Sequence, residues 1–332
     1  MDTDDNDGEF DPLPDDDEDA VGREPRSAES SSHPTNTAVG NRKKPAGPSK
    51  LRSSMPNWLK TNYDDKCEQL RIEMKKNVSN RPSCYDAGRF TDTAPPPIFA
   101  CTSNNIQLSP SAFHQPTYFV WLPHLFHRIP CPSCKNANRR TKNGGAVFLS
   151  LLSWPRLPRR IVDIDRNVFI IGYRYYCGHE ACGKTYQSWS QAVLDVIPPP
   201  LMTYFTFHLT HRCGMSDRLV GLLRASFQRG IGPAPFAEMI RNFHVRHYER
   251  LQIEYLEMIK IRAASPTAHL FALYPSFGAW NDRNGYAGSV PTHKYFRGFY
   301  DSMIERHAPE IDQHMAMLPA RIIKHDQSFK VC

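Results

Sequence analysis

Two short cysteine pairs constrain this chain more than any other feature. Cys131 and Cys134 flank a proline and a serine in IPCPSCKNANRR, and Cys177 and Cys182 follow in YRYYCGHEACGKTYQSW. Zinc takes four soft ligands in a tetrahedron, and each close pair can supply two of them from one tight turn. The segment between the pairs contains RRIVDI and VFIIGYRYYC, rich in Val, Ile and Tyr, around the turn-forming Asp165-Arg166-Asn167. That is a hairpin pattern, and its second strand leads directly into Cys177. Knuckle, hairpin and knuckle together predict a small antiparallel zinc ribbon. Lys135, Lys184 and nearby arginines would offset the charge of four thiolates.

The ligand set keeps alternatives open. His179 could replace Cys177 or Cys182, and the four thiols could also be buried or free without metal. Cys67, Cys84, Cys101 and Cys213 have no paired neighbour and read as ordinary thiols. A site with four protein ligands has no open position, so its zinc would hold a fold and perform no reaction. The pattern points to a binding module rather than a metalloenzyme.

Charge favours a polyanionic partner. Residues 1–20 hold eleven acids and no base, while the whole chain carries +7, which leaves +18 for residues 21–332. An acidic tail on a basic body suggests nucleic acid as the partner of the body, with the tail competing for the same surface. A merely solvating tail fits equally well. The acidic start has no apolar core, so it predicts no secretory signal, and no run approaches the ~20 apolar residues of a membrane span. The expectation is an intracellular protein whose cysteines are thiols or metal ligands. Arg42-Lys43-Lys44 with Lys50-Leu51-Arg52 suggests a nuclear address or a charged linker.

The 28 prolines cluster, so the 40% hydrophobic content is unevenly spread. Residues 1–117 read as a disordered acidic tail and a Pro- and Ser-rich linker. Within them, 56–78 could form one helix with an apolar stripe at Trp58, Tyr63, Leu70 and Met74, and 79–116 read as linker with little structure. Order is expected from about Tyr118, with the ribbon domain over 118–198. A helical region should fill 199–317: one helix over 200–212, one over 216–230 with Ser216 as N-cap and Gly230 at its end, one over 234–262, and one over about 291–317. The fold class is α+β, a small antiparallel ribbon followed by α-helices behind a long disordered N-terminus.

The second and third of these helices, joined by GIGPAP, resemble a helix-turn-helix. Arg218, Arg224, Arg229, Arg241 and Arg246 are its candidate DNA contacts, and Glu238, Arg241 and Asn242 would sit where such helices read bases. A bundle with a solvated charged face is the competing reading. His208, His211, His244 and His247 sit at i,i+3 spacing, but without acids nearby they read as satisfied histidines rather than as a second metal site.

FVWLPHLFHRIPCPSC, the RRIVDIDRNVFIIGYRYYC segment and the helices after Pro200 together resemble a domain of unknown function of fungal proteins, many of them transposase-like. The resemblance covers roughly 118–332. The closing IIKHDQSFKV is similar to the first core strand of RNase H-like DDE transposases, over 318–332. That resemblance implies that Asp326 is the first metal-binding carboxylate, although a turn aspartate fits the same residues. Such sites need two further acids downstream to hold two divalent ions. The expectation is therefore a transposase-derived DNA-binding protein with structural zinc and no complete catalytic site. A zinc-ribbon adaptor, recruiting protein partners through the ribbon or the acidic tail, is the alternative, and an active nuclease or transposase the least favoured reading.

Overall fold

The computed structural model describes residues 55–98, 108–211, 213–264 and 274–317. The expectations for residues 1–54 and for the 318–332 strand, Asp326 included, lie outside the described residues. The chain mixes α and β structure and has two sheets.

Helix α1 (Asn57–Lys76) comes first, followed by the single turn α2 (Ser83–Asp86) and the two-residue strand β1 (Thr91–Asp92). Strand β2 (Thr117–Val120) leads into the turn α3 (Pro132–Asn136). Next come β3 (Ser150–Ser153), β4 (Arg159–Val162), β5 (Asn167–Ile171), β6 (Arg174–Tyr176) and β7 (Thr185–Gln187). The turns α4 (Gln191–Leu194) and α5 (Pro199–Met202) lead to β8 (Phe207–Leu209) and β9 (Gly214–Ser216). Three longer helices close the described chain: α6 (Asp217–Gln228), α7 (Pro233–Ala263) and α8 (His293–Met317).

Six strands form one mixed sheet in the order β1-β2-β5-β4-β9-β8, with β2/β5 and β4/β9 parallel and the other pairs antiparallel. Its centre is β5, in which Val168 through Ile171 are all buried. A strand covered on both faces has no polar side to show, which explains the continuous apolar run. The period-2 alternation divides these side chains between two cores. Phe119, Trp121, Ile161, Val168 and Ile170 meet Trp189, Val193, Leu194, Ile197 and Phe205 on one face. Tyr118, Val120, Leu122, Phe169 and Ile171 meet α1 on the other, through Leu59, Tyr63, Cys67 and Leu70.

This arrangement corrects the N-terminal boundary. Residues 55–98 and 108–117 belong to the folded body. Leu59, Tyr63, Cys67 and Leu70 fall at helical spacing, Leu70 is fully buried, and the Tyr63 hydroxyl donates to Pro155 O at 2.9 Å. The stripe was legible, but its partner is a sheet assembled far downstream. The linker reading of 79–116 also fails in its described parts. The Tyr85 hydroxyl donates to Val120 O at 2.8 Å, and Thr91 pairs with Phe119.

The hairpin prediction needs a second correction. β4 and β5 do pair antiparallel around Asp165-Arg166, but they lie at the centre of the six-stranded sheet. The strands next to the cysteines are β3, β6 and β7, a separate three-stranded antiparallel sheet. β5 runs into β6 through only Gly172 and Tyr173. A side chain at Gly172 would drive its Cβ into Ser188 Oγ and to 2.6 Å from the Trp189 ring, so the backbone can turn there only as glycine. Residues 118–198 are therefore not a free-standing ribbon.

The helix expected over 200–212 is also absent. α5 stops at Met202, and β8 pairs with β9 in a hairpin. Thr206, Phe207 and Thr210 favour extended backbone, and at Gly214 a Cβ would meet Ile161 Cδ1 at 2.7 Å and His208 O at 2.8 Å. The three long helices do follow the sequence pattern. Ser216 Oγ accepts from Leu219 N at 3.1 Å as the N-cap of α6, and Gly230 has φ +81 just beyond its end. Leu219, Leu223, Phe236, Ile240 and Phe296 bind α6, α7 and α8 to the sheet through Val162 of β4 and Met215 of β9.

Candidate functional site

Pro132 opens α3 with its preset φ, so Cys131 and Cys134 lie on either side of a first helical turn. The turn is held by Lys135 N to Cys131 O at 2.9 Å and Arg139 N to Cys134 O at 2.8 Å. The second knuckle leaves β6 at Cys177 and returns into β7. Cys177 N donates to Lys184 O, Cys182 N donates to His179 O, and Gly183 takes φ +58. Arg139 Nη1 joins the knuckles by donating to Ala181 O at 2.6 Å.

The four Sγ atoms lie within 4.8 Å of one another. Cys131 and Cys182 are 3.8 Å apart, and Cys134 and Cys177 are 3.6 Å apart. Four thiolates at a zinc–sulfur distance of about 2.3 Å stand ~3.8 Å apart along each edge of the tetrahedron. The cluster thus has the donor set and spacing of a zinc site with four cysteine ligands. Cys131, Cys134 and Cys177 are buried and Cys182 half-buried, so the site would be closed. Burial pushes the thiols of Cys134 and Cys177 above the usual range. At Cys182 burial acts in the same direction, but hydrogen bonds from Lys184 N and the other thiols outweigh it and lower the thiol. A divalent ion would deprotonate all four. The Tyr186 hydroxyl donates to Ser133 Oγ at 2.7 Å and lies 4.0 Å from Cys131 Sγ, packing the layer behind the thiols.

His179 stands outside the cluster. Its Nδ1 accepts from Ala181 N and its Nε2 lies 3.2 Å from Arg140 O. Among the described residues, the four cysteines are the one group of His, Cys, Asp and Glu close enough to share an ion. His208 lies on β8 rather than on a helix, with Nε2 3.0 Å from Asp217 Oδ1. His244 Nε2 contacts Asp163 O at 2.9 Å, and His247 Nδ1 contacts Arg250 at 3.1 Å. Cys67 and Cys84 are buried thiols, pushed up by burial to about 12 and about 11.

All five candidate arginines are exposed: Arg218, Arg224 and Arg229 on or just after α6, Arg241 and Arg246 on α7. α7 buries Phe236, Ile240, His244 and Tyr248, which leaves Glu238, Arg241 and Asn242 in solvent. Arg224 lines a large depression, a groove of about 940 Å³ between the β8–β9 hairpin, α6 and α8. Lys294, Arg306, His208, His211 and His307 also line it, and Asp217 is the one carboxylate among the described residues of its walls. Sequence reasoning missed Lys294 and Arg306. They stand far along the chain from Arg224, on α8, whose sequence pattern reports its buried face and not its neighbours.

A family model described as a domain of unknown function (DUF6729) matches residues 94–303, well over half of the chain. The chain belongs to the DUF6729 family. The matched span includes both cysteine pairs and the groove-forming elements up to the first half of α8, while α1, α2 and β1 precede it and pack on the same sheet. No curated protein and no solved structure gives a significant match. Among the described residues, no helix is long and apolar enough to cross a membrane.

Proposed function

We propose that this DUF6729 chain is a DNA-binding module of transposase-like ancestry, shaped by a structural zinc ion. The observation that carries the reading is the groove of about 940 Å³, where Arg224, Lys294 and Arg306 face three histidines and a single carboxylate among the described residues. A concave surface of one sign concentrates its field and draws polyanions. The excess of +18 over residues 21–332 acts in the same direction. The exposed arginines of α6 and α7 would add phosphate contacts beside the groove. Zinc in the Cys131, Cys134, Cys177 and Cys182 cluster would fix the three-stranded sheet.

Binding of random duplex DNA across a salt series tests this, with metal content measured on the same sample. Phosphate contacts release counterions, so affinity should fall steeply as salt rises. A flat salt response, or no retention on DNA at low salt, would remove the reading.

One observation favours a second reading, a protein adaptor. Leu151, Leu152 and Tyr176 are 52%, 45% and 39% exposed on β3 and β6, beside the cysteines. Recovery of protein partners from nuclease-treated lysate, abolished by Leu151→Asp and accompanied by no DNA retention, would favour it.

A further inference from the structure

Helix α7 is 31 residues long and buries one side only. Its buried residues, Phe236, Ile240, His244, Tyr248, Tyr255 and Met258, fall within about a third of the helical circumference. The opposite side carries Arg246, Glu249, Ile253, Leu256, Lys260 and Ala263, all exposed. Ile253 is 61% and Leu256 54% exposed. Two exposed apolar residues are ordinary on a surface. Their setting is not. The six residues follow one another at alternating intervals of three and four, which is the seam of a coiled coil. Apolar residues occupy its middle, and charges of opposite sign flank them.

Those charges specify the occupant. Consider two copies of α7 placed antiparallel about a two-fold axis that passes between Glu254 and Tyr255. Ile253 of each copy then meets Leu256 of the other. The same axis sets Glu249 of each copy against Lys260 of the other, and Arg246 against the small Ala263. Arg250 and Glu257, exposed on one flank of the seam, also come side by side across the axis. A parallel pair would oppose Glu249 to Glu249 and Lys260 to Lys260, and like charges set against each other suppress association. Within one chain Lys260 Nζ lies 3.9 Å from Glu257 Oε2, a contact between exposed groups that is worth little and gives way easily.

We propose that the outer face of α7 pairs antiparallel with the same face of a second copy of this chain, with Ile253 and Leu256 at the two-fold axis. One patch then serves both partners, as a two-fold interface requires. The seam from Arg246 to Ala263 is about 27 Å long. It is smaller than the roughly 1,600 Å² of a standard interface, so the dimer is reversible, with a dissociation constant of order micromolar or weaker. The inference goes beyond the DNA reading and does not rest on it.

Sedimentation equilibrium of the full-length, zinc-loaded chain tests it, from ~1 to ~200 µM at physiological salt. A monomer–dimer equilibrium is expected. Glu249→Lys and Lys260→Glu should each weaken it at least about tenfold, and the two together should restore most of that loss. Leu256→Asp should abolish the dimer. Ile261→Asp is the control: Ile261 is 62% exposed but lies about 110° around the helix from the seam, and its replacement should change nothing. Arg224→Glu, in the groove, should weaken DNA binding and leave the dimer intact, so a failure of the DNA reading would not be mistaken for a failure here. A monomer at every concentration would overturn the proposal. If Leu256→Asp also lowered the melting temperature of that monomer, another segment of the same chain would be the occupant of the face. A dimer that survives Leu256→Asp, or that the double reversal fails to restore, would use a different face or register and would overturn it as well.

Discussion

The Sγ atoms of Cys134 and Cys177 lie 3.6 Å apart although 43 positions separate them along the chain. Such proximity of buried thiols joins α3 to the end of β6 and makes the three-stranded sheet depend on what bridges them. The expected metal content is one zinc per chain, measured by elemental analysis. Cys177→Ser should abolish it and lower stability by about 3 kcal/mol or more in denaturant unfolding. His179→Ala should leave the metal content unchanged, since both ring nitrogens are engaged elsewhere.

Helix α1 should be indispensable. Leu70 is fully buried against Val120, Phe169 and Ile171 in the second core of the sheet. Leu70→Ala should cost about 2–5 kcal/mol in denaturant unfolding. Removal of residues 1–76 should give protein without a cooperative transition, and a chain starting at residue 94, where the family match begins, should fare no better.

Acid should destabilise the fold through histidines that are buried or half-buried in the neutral form. Desolvation pushes His114 and His124 down to about 4, and His247 to about 4 with help from Arg166. The unfolded chain takes up these protons near pH 6.5, and the folded chain only near pH 4. Between the two the unfolded state binds more protons, so stability is fully present above about 6.5 and declines as pH falls toward 4. Melting temperatures across that window should decline in the wild type. His124→Phe, which removes the proton-binding site but also its 2.9 Å contact with the Tyr175 hydroxyl, should flatten the slope while lowering the plateau.

The groove predicts a particular salt behaviour. Arg224→Ala and Lys294→Ala should each weaken duplex binding about equally for all sequences. Each should also reduce the slope of log affinity against log salt by about 0.9 for every phosphate that the variant no longer neutralises. Arg229→Ala, just beyond α6 and outside the groove walls, should change both less.

Legibility in the sequence followed the range of the cause. The caps and periodicity of α6, α7 and α8 are local, and their bounds matched to within about two residues: Ser216 caps α6, Gly230 follows it, and Pro233 opens α7. The cysteine cluster was legible because tight turns bring each pair of ligands together. The sheet was not. The run Val168–Ile171 announces a strand buried on both sides, but nothing in it says that α1 covers one face, because Tyr118 and Leu70 meet only after the chain has folded. Cys67 reads as an ordinary thiol from the sequence, but it is one of α1's buried contacts, because an unpaired cysteine packs as a small apolar side chain. The groove was invisible for the same reason: Arg224 and Lys294 are neighbours only in space.

The two-residue passage at Gly172 and Tyr173 has a consequence for portability as well as for folding. β5 lies at the centre of the large sheet, and β6, which follows almost at once, presents Cys177. The cysteine centre cannot be moved to another protein as a cassette, nor discarded without disturbing the strand next to it. Replacing one of the four thiols would disturb a strand that only two residues separate from the central sheet, so fold and cysteine cluster depend on each other.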